Sequence, residues 1–385
     1  RDAAAAFIAP LLLKRRDRPA IKLESVSEDG QRVMRMAIVN RDKPFLVDSV
    51  AAAIGAQGLD IHRILHPVLS AKRDADGHLL ALEGEGAVRE SIIYVEIERA
   101  DARIRRALVG EIEDVLADVR LAVSDWGKMQ DAMRADAELP SATTAEGSAL
   151  LRWLLDRHFT LLGHELRDRE GRASGGLGLA RSAGLPLLAP DTIDSAFAWF
   201  DAGNTGPLIL KSNRIATVHR RVPLDLMVVP VLQGGKAVSL SIHAGLWTSA
   251  ALAAPAHAIP VLRVRLADLQ AKLGFDPGGH NGKALEHALT ALPHDVVVAF
   301  DEHGLEHVAL TAMSLADRPR PKLVQVRSPL GRHLFAFVWL PRDDVSTVRR
   351  IAIGDMLAEA AGGPVLNWSI ALEEGGVALL RYAVD

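Results

Sequence analysis

The chain of 385 residues has no cysteine. This excludes disulfides and thiol chemistry and suits a reducing compartment, so a cytoplasmic location is expected. An excess charge of one sign is also missing: 45 Lys and Arg face 48 Asp and Glu, a formal net charge of −3. Nothing electrostatic therefore calls for a nucleic-acid partner. No run approaches the ~20 apolar residues of a membrane span. Phe7 to Leu13 is apolar, but Lys14-Arg15-Arg16 follows it, the reverse of a secretory signal's order. Neither a membrane partner nor secretion is expected. There is no Gly-x-Ser-x-Gly elbow to anchor a hydrolase triad. An initiating methionine is absent too: the first residue is Arg1, and the chain is expected to begin inside a longer sequence.

What is present is ordinary core material, 49% apolar and 24% charged residues, enough for two or three domains. The most informative stretch is Gln31–Ser70. Val33, Met34, Met36, Ile38 and Val39 suit a half-buried strand. Asn40-Arg41-Asp42-Lys43-Pro44 breaks it, with Pro44 placed for the first position of a helix. Phe45, Leu46, Val50, Ala53 and Ile54 then recur at helical spacing, and Gln57-Gly58 ends the helix. A second strand is read from Leu59 to Leu69, Asp76-Gly77 signals a hairpin, and Glu90–Glu98 alternates as a further strand. From Asp101 to about Arg134 one apolar stripe persists, a helix of about 50 Å that Gly127 is placed to end or bend. This βαββα order lacks one strand, which Ala20–Ser25 is placed to supply.

Pro140–Thr144 reads as a linker, with Thr144 or Ser148 as a helix cap. Leu150–Arg157 is read as helical, Phe159–Leu166 as a strand and Gly171–Gly184 as a loop. Pro207–Val218 and Leu224–Leu232 are read as paired strands, followed by Ala237–Ile242 and a short Leu246–Thr248, with helices at Val261–Leu273 and Gly282–Leu292. Asp301 is placed to cap a helix over Glu302–Leu315, ended by Asp317-Arg318-Pro319. Strands at Lys322–Arg327 and His333–Leu340, a helix at Asp344–Ala361 and strands at Val365–Leu372 and Val377–Val384 complete the chain. The expected fold is α+β, two to three ferredoxin-like antiparallel sandwiches in tandem, with domains at 1–139, 140–292 and 293–385.

The letters of the opening stretch resemble the ACT module, a small ferredoxin-like domain that often binds amino acids. The blocks "PFLVDSV…GLDIHRILHPVL", "ESIIYVEIER", "LLRWLLDRHFTLLGHE", "LILKSNRIATVHRRVPLD", "HAGLWTSAAL", "GFDPGGHNGKAL" and "RPRPKLVQVRSPLGRHLFAFVWLPRD" are together similar to the N-terminal region of the large bacterial NAD-specific glutamate dehydrogenases. The resemblance implies a regulatory or oligomerisation part of an oxidoreductase that converts L-glutamate, water and NAD to 2-oxoglutarate, ammonium and NADH. Its partners would be its own catalytic domain and other subunits of a homo-oligomer. It also implies an effector site at the first β–α loop, built from Asn40, Arg41, Asp42, Lys43 and Asp48: helix N–H groups for a carboxylate, Asp42 or Asp48 for the ammonium. The plainer reading has Asp42 capping the helix and Asp48 facing solvent. Where many ACT modules place glycine against the ligand, this chain has Phe45, which would crowd it. The alternative is an assembly scaffold without a ligand.

No catalytic residue is assigned. The nearest dinucleotide pattern, Gly176-Leu177-Gly178-Leu179-Ala180-Arg181, lacks the third glycine and follows no expected strand. No lysine has the glycine-rich setting that reductive amination wants. The resemblance implies NAD in a catalytic part beyond Asp385, with no cofactor in this chain. The densest basic stretch holds Lys211, Arg214, His219, Arg220 and Arg221. In a strand, Asn213, Ile215, Thr217 and His219 would share one face and Arg214 and Arg220 the other: a solvated or interface surface, or an anion site. No metal site is assigned: His62 and His66 sit on a strand, about 13 Å apart. His280, His287 and His294 are poorly spaced, and His303 and His307 have no carboxylate to complete a site.

Overall fold

A computed structural model describes residues 2–28, 31–139, 142–316, 318, 320–373 and 376–385. Pro140, Ser141, Asp317 and Pro319, expected in a linker and a helix stop, lie outside them. The chain divides into two units, Arg1–Ser124 with Ala216–Arg221, and Asp125–Ile215 with Val222–Asp385. Among the described residues no helix is long and apolar enough to cross a membrane.

The first unit contains α1 (Asp2–Leu13), β1 (Ala20–Glu28), β2 (Gln31–Arg41), α2 (Leu46–Ala56), β3 (Ile61–Leu65), β4 (Val68–Arg73), β5 (Leu79–Leu82), β6 (Val88–Ile97) and most of α3 (Ala102–Ala137). Its sheet runs β1-β2-β6-β4-β5, with β3 also paired to β6 and every pairing antiparallel. Strand β1 thus fills the place beside β2 that the βαββα order leaves open. Met34, Met36 and Ile38 alternate with Ala37 across the two faces of β2, and all four are buried. On one face Phe7 packs with Ala37 and Tyr94, so α1 covers a side that a half-buried strand would leave wet.

Four local expectations change. Helix α2 begins at Leu46 rather than Pro44, which sits in a turn. The single strand expected at Leu59–Leu69 is two, broken at His66-Pro67, where proline has no N–H for the ladder. Helix α3 runs unbroken through Gly127 for 36 residues, about 54 Å. The 207–218 strand stops at Ile215. The Asp-Gly hairpin forms as read: Asp74 Oδ1 accepts the N–H groups of Asp76 and His78. Gly77 has φ 86°, and a Cβ there would lie 2.4 Å from the Arg15 carbonyl oxygen, so only glycine fits.

The second unit contains α4 (Ala145–Trp153), β7 (Phe159–Asp168), β8 (Ala173–Gly178), α5 (Pro190–Asp201), β9 (Leu208–Ile215), β10 (Pro223–Gln233), β11 (Lys236–Trp247), α6 (Ser249–Leu252), α7 (Leu262–Leu273), α8 (His280–Ala291), α9 (His294–Val297), α10 (Glu302–Ala316), β12 (Lys322–Arg327), β13 (Leu334–Pro341), α11 (Thr347–Ala361), β14 (Val365–Leu372) and β15 (Val377–Val384). Thr144 and Asp301 cap as expected, accepting from the N–H groups of Gly147 and Gly304. The loop expected at Gly171–Gly184 holds strand β8, the stretch expected as two strands after Ala237 is the single β11, and α5 has no counterpart in the sequence expectations.

One antiparallel sheet runs β8-β7-β11-β10-β9 and another β12-β13-β15-β14. The latter repeats the first unit's scheme: β12-β13-α11-β14-β15 follows the order and pairing of β1-β2-α2-β3-β6. The described residues thus form a mixed structure of helices and three antiparallel sheets. The larger apolar core of this unit joins Met129, Leu150, Trp247, Leu289, Leu292, Val297, Phe300, Trp339 and Leu379, and a smaller one lies around Val338, Leu357 and Tyr382. Leu292 and Val297, on either side of the expected 292/293 boundary, both belong to the larger.

Candidate functional site

The loop singled out for an effector leaves β2 at Asn40 and Arg41, which pair in register with Ser91 and Glu90 of β6. Asp42 does not cap α2. Its N–H donates to the Arg89 carbonyl at 3.0 Å and its carboxylate pairs with the Arg89 guanidinium at 3.2 Å. The residue at the N-cap is Phe45, in the left-handed region with φ 70° and no side-chain cap. A β-carbon there costs about 1–2 kcal/mol relative to glycine. Its ring lies 5.4 Å from that of His219, itself at φ 71°. The His219 N–H donates to Ser49 Oγ at 2.9 Å, and its Nδ1 lies 3.1 Å from the Asp48 carboxylate.

His219 belongs to residues 216–221, which pack in the first unit rather than extending β9. Ala216 and Val218 are fully buried, Thr217 Oγ1 donates to Asp118 at 2.6 Å, and Arg221 pairs with Glu111 at 2.6 Å. The predicted Asn213–His219 face is therefore not a strand face. Of the five effector residues, Asp42 turns to β6 and Asp48 to His219, and Lys43 is half-buried.

Nearby, Glu90 is the most deeply held acid of the first unit. Arg15 donates to its Oε1 at 2.6 Å and Arg73 to its Oε2 at 2.6 Å. Burial alone would raise its pKa; the hydrogen bonds and charges of Arg73 and Arg15 outweigh this and hold the carboxyl low. The group lines a cleft of about 280 Å³ shared with Arg16 and Arg41.

The basic stretch does not form one surface. Lys211 Nζ lies 2.5 Å from both Asp225 Oδ1 and Asp295 Oδ2. Toward Asp225 Oδ1 this is an ion pair without hydrogen-bond alignment, since that oxygen has no hydrogen-bond partner among the described residues. Burial, opposed by Lys211 and reinforced by Asp295, pushes the Asp225 carboxyl up to about 7. Lys211 is held above the ordinary lysine range: its burial cost is outweighed by the two carboxylates. Arg214 is no anion site: its buried guanidinium donates to the carbonyls of Leu179 and Leu185 and to Ser182 Oγ, clamping the turn after β8. Arg220 follows His219 outside any strand, its N–H donating to the Val218 carbonyl at 3.1 Å. Asn213 donates to Asp385 Oδ2 at 2.8 Å and accepts from His333 Nε2 at 2.7 Å.

The glycine pattern at 176–181 ends β8 and enters a turn. The Gly178 N–H, which a phosphate would need, donates to Asp125 Oδ2 at 2.9 Å, and Arg181 binds the same oxygen at 2.8 Å. Among the histidines weighed as ligands, His66 Nε2 meets Ser91 Oγ at 2.6 Å and His294 donates through Nδ1 to the Ala251 carbonyl. His303 and His307, with ring centroids 6.4 Å apart, line a cleft of about 630 Å³ that also holds Arg265 and Arg327. The partners of Lys211, Asp225 and Asp295, carry no local mark in the sequence: 84 residues separate Lys211 from Asp295.

Residues 3–112 match the family model of the glutamate dehydrogenase ACT1 domain, and residues 259–318, which hold α7 to α10, match that of glutamate dehydrogenase helical motif 1. The chain is 31% identical over 377 residues to an NAD-specific glutamate dehydrogenase of Pseudomonas aeruginosa, covering 89% of this chain and 23% of the relative. It is 28% identical over 379 residues to that of Halomonas elongata (90% and 23%) and 24% identical over 374 residues to that of Mycobacterium tuberculosis (91% and 22%). The chain thus spans less than a quarter of the curated relatives it matches. Among solved structures, an RNA-binding light-oxygen-voltage receptor aligns over 71% of this chain and 85% of its own at 12% identity and a TM-score of 0.16, too low to carry an argument. By its two domain matches and its relatives, the chain belongs to the N-terminal, ACT-containing region of the large bacterial NAD-specific glutamate dehydrogenase family.

Proposed function

We propose that this chain is the regulatory and assembly part of a cytoplasmic NAD-dependent glutamate dehydrogenase, and that it makes no NADH itself. The whole enzyme would oxidise L-glutamate with NAD and water to 2-oxoglutarate, ammonium and NADH. The observation that carries the reading is the state of the first β–α loop. Where ACT modules hold an amino acid, Phe45 occupies a glycine conformation and packs on His219, whose segment is anchored to the same unit. This favours assembly over amino-acid sensing at that loop. Assembly is also supported by apolar surface: Trp368, Ile370 and Leu372 lie exposed along one face of the sheet-edge strand β14, and Val348, Ile351 and Met356 are exposed on α11. The second copy of the chain is the proposed occupant.

Two assays test this. The chain incubated with glutamate and NAD is expected to form no NADH; turnover would overturn the non-catalytic reading. Calorimetric titration with a panel of amino acids is expected to show no heat assignable to the loop. Binding that Asp42→Ala or Asp48→Ala abolishes would restore the effector reading.

A further inference from the structure

The second unit places two histidines directly opposite each other across neighbouring strands, His164 on β7 and His243 on β11. Their ring centroids are 4.8 Å apart, and both side chains are buried. The last turn of α3 brings Asp136 over the pair: its Oδ2 lies 2.7 Å from His243 Nε2. Ser241, two residues earlier on β11 and so on the same face, lies 3.4 Å from His243 Nε2 and 3.1 Å from His164 Nε2 through its Oγ. One ligand atom from each of Asp136, His164 and His243 falls within 4.8 Å of the others.

These separations can be compared with what a cation needs. Four ligands at 2.0–2.1 Å from a tetrahedral ion stand about 3.3 Å from one another. The measured 2.7, 3.4 and 3.1 Å bracket that edge, and the widest separation among the Asp136, His164 and His243 ligand atoms, up to 4.8 Å, would have to close by about 1.5 Å on binding. A hydrogen-bonded cluster alone accounts for the side chains less well. Each of the two rings turns its Nε2 toward Ser241 Oγ, and that hydroxyl's one proton serves a single imidazole at a time. A hydrolytic serine triad does not fit either. His243 presents the same nitrogen, Nε2, to both the carboxylate and the hydroxyl, whereas a relay needs one nitrogen for each.

We infer that Asp136, His164 and His243, with Ser241 closing the fourth position, bind one divalent transition-metal ion of the zinc class. Imidazole nitrogen and a carboxylate without thiolate suit zinc, cobalt or nickel rather than a soft monovalent ion. With the donors buried and the fourth position taken by a side chain, the site is structural rather than open for catalysis. It fixes the C-terminal turn of α3 to the β7–β11 pair.

The test uses the whole 385-residue chain, free of any affinity tag and stripped with chelator. Titration with Zn²⁺ is expected to give one equivalent bound, with Co²⁺ substitution producing visible d–d absorption of a tetrahedral site. His243→Gln and His164→Gln should each weaken binding at least 100-fold, and Asp136→Asn by 10-fold or more. Should those variants fail to fold, the wild type decides: chelator lowers its melting temperature and Zn²⁺ restores it. Absence of stoichiometric binding, full affinity retained in His243→Gln, or a melting temperature indifferent to metal would each overturn the assignment.

Discussion

Asp225 offers the sharpest check on the buried charges of the second unit. Its carboxyl is 3% exposed and shares Lys211 with Asp295, so three ionised groups in one dry place would leave a net negative charge. The least costly state at moderate acidity keeps a proton on Asp225, whose pKa rises from 3.8 to about 7. Between those values the folded chain holds a proton that the unfolded chain has released. Stability from this group is therefore complete below pH 3.8 and is lost as pH rises toward 7. At 1.36 kcal/mol per unit, the loss is about 4 kcal/mol as an upper bound. Asp225→Asn keeps the shape and removes the titration. Urea denaturation from pH 4 to pH 8 should show the variant gaining on the wild type by about 2–4 kcal/mol across that range. A difference that stays flat would refute the reasoning, because it would mean that Lys211 keeps Asp225 ionised throughout.

Three further predictions follow from the same geometry. His333, buried and held to about 4, has the opposite sign: its contribution is present above pH 6.5 and lost toward pH 4. His333→Gln should thus flatten the acid limb of the stability profile by up to about 3 kcal/mol, and an unchanged limb would count against it. Glu90→Gln leaves Arg15 and Arg73 buried without their shared carboxylate and should cost about 3 kcal/mol or more in chemical denaturation; a loss under ~1 kcal/mol would show the pairs to be dispensable. Phe45→Gly relieves the left-handed backbone but loses the ring contact with His219, so its net effect should stay within about 1 kcal/mol, and a larger loss would show that the ring anchors residues 216–221.

Local signals carried much of the fold. The Asp76-Gly77 turn, the Asp301 cap and the β12–β15 region are each specified by neighbouring residues and stand as read, whereas the second strand of the βαββα order is two. The failures are long-range. Gly171–Gly184 looks like a loop because glycine has low strand propensity, yet β8 exists as an edge strand paired to β7 and anchored through Asp125. Residues 216–221 continue a strand-like alternation that Ala216 and Val218 abandon for burial in the other unit's core. At the candidate site the identity of Phe45 was legible as an obstacle, but its backbone conformation was not, since φ > 0 at an aromatic residue has no sequence mark. His164 and His243 meet only through the β7–β11 register, 79 positions apart in the numbering, which no local pattern encodes.

The central claim, a noncatalytic assembly module, is tested most directly by sedimentation equilibrium of the 385-residue chain at micromolar concentration, beside Ile370→Glu on β14. The account predicts a self-associating wild type and a variant that dissociates while keeping its circular dichroism and melting temperature. A monomeric wild type, or association indifferent to Ile370→Glu, would contradict it.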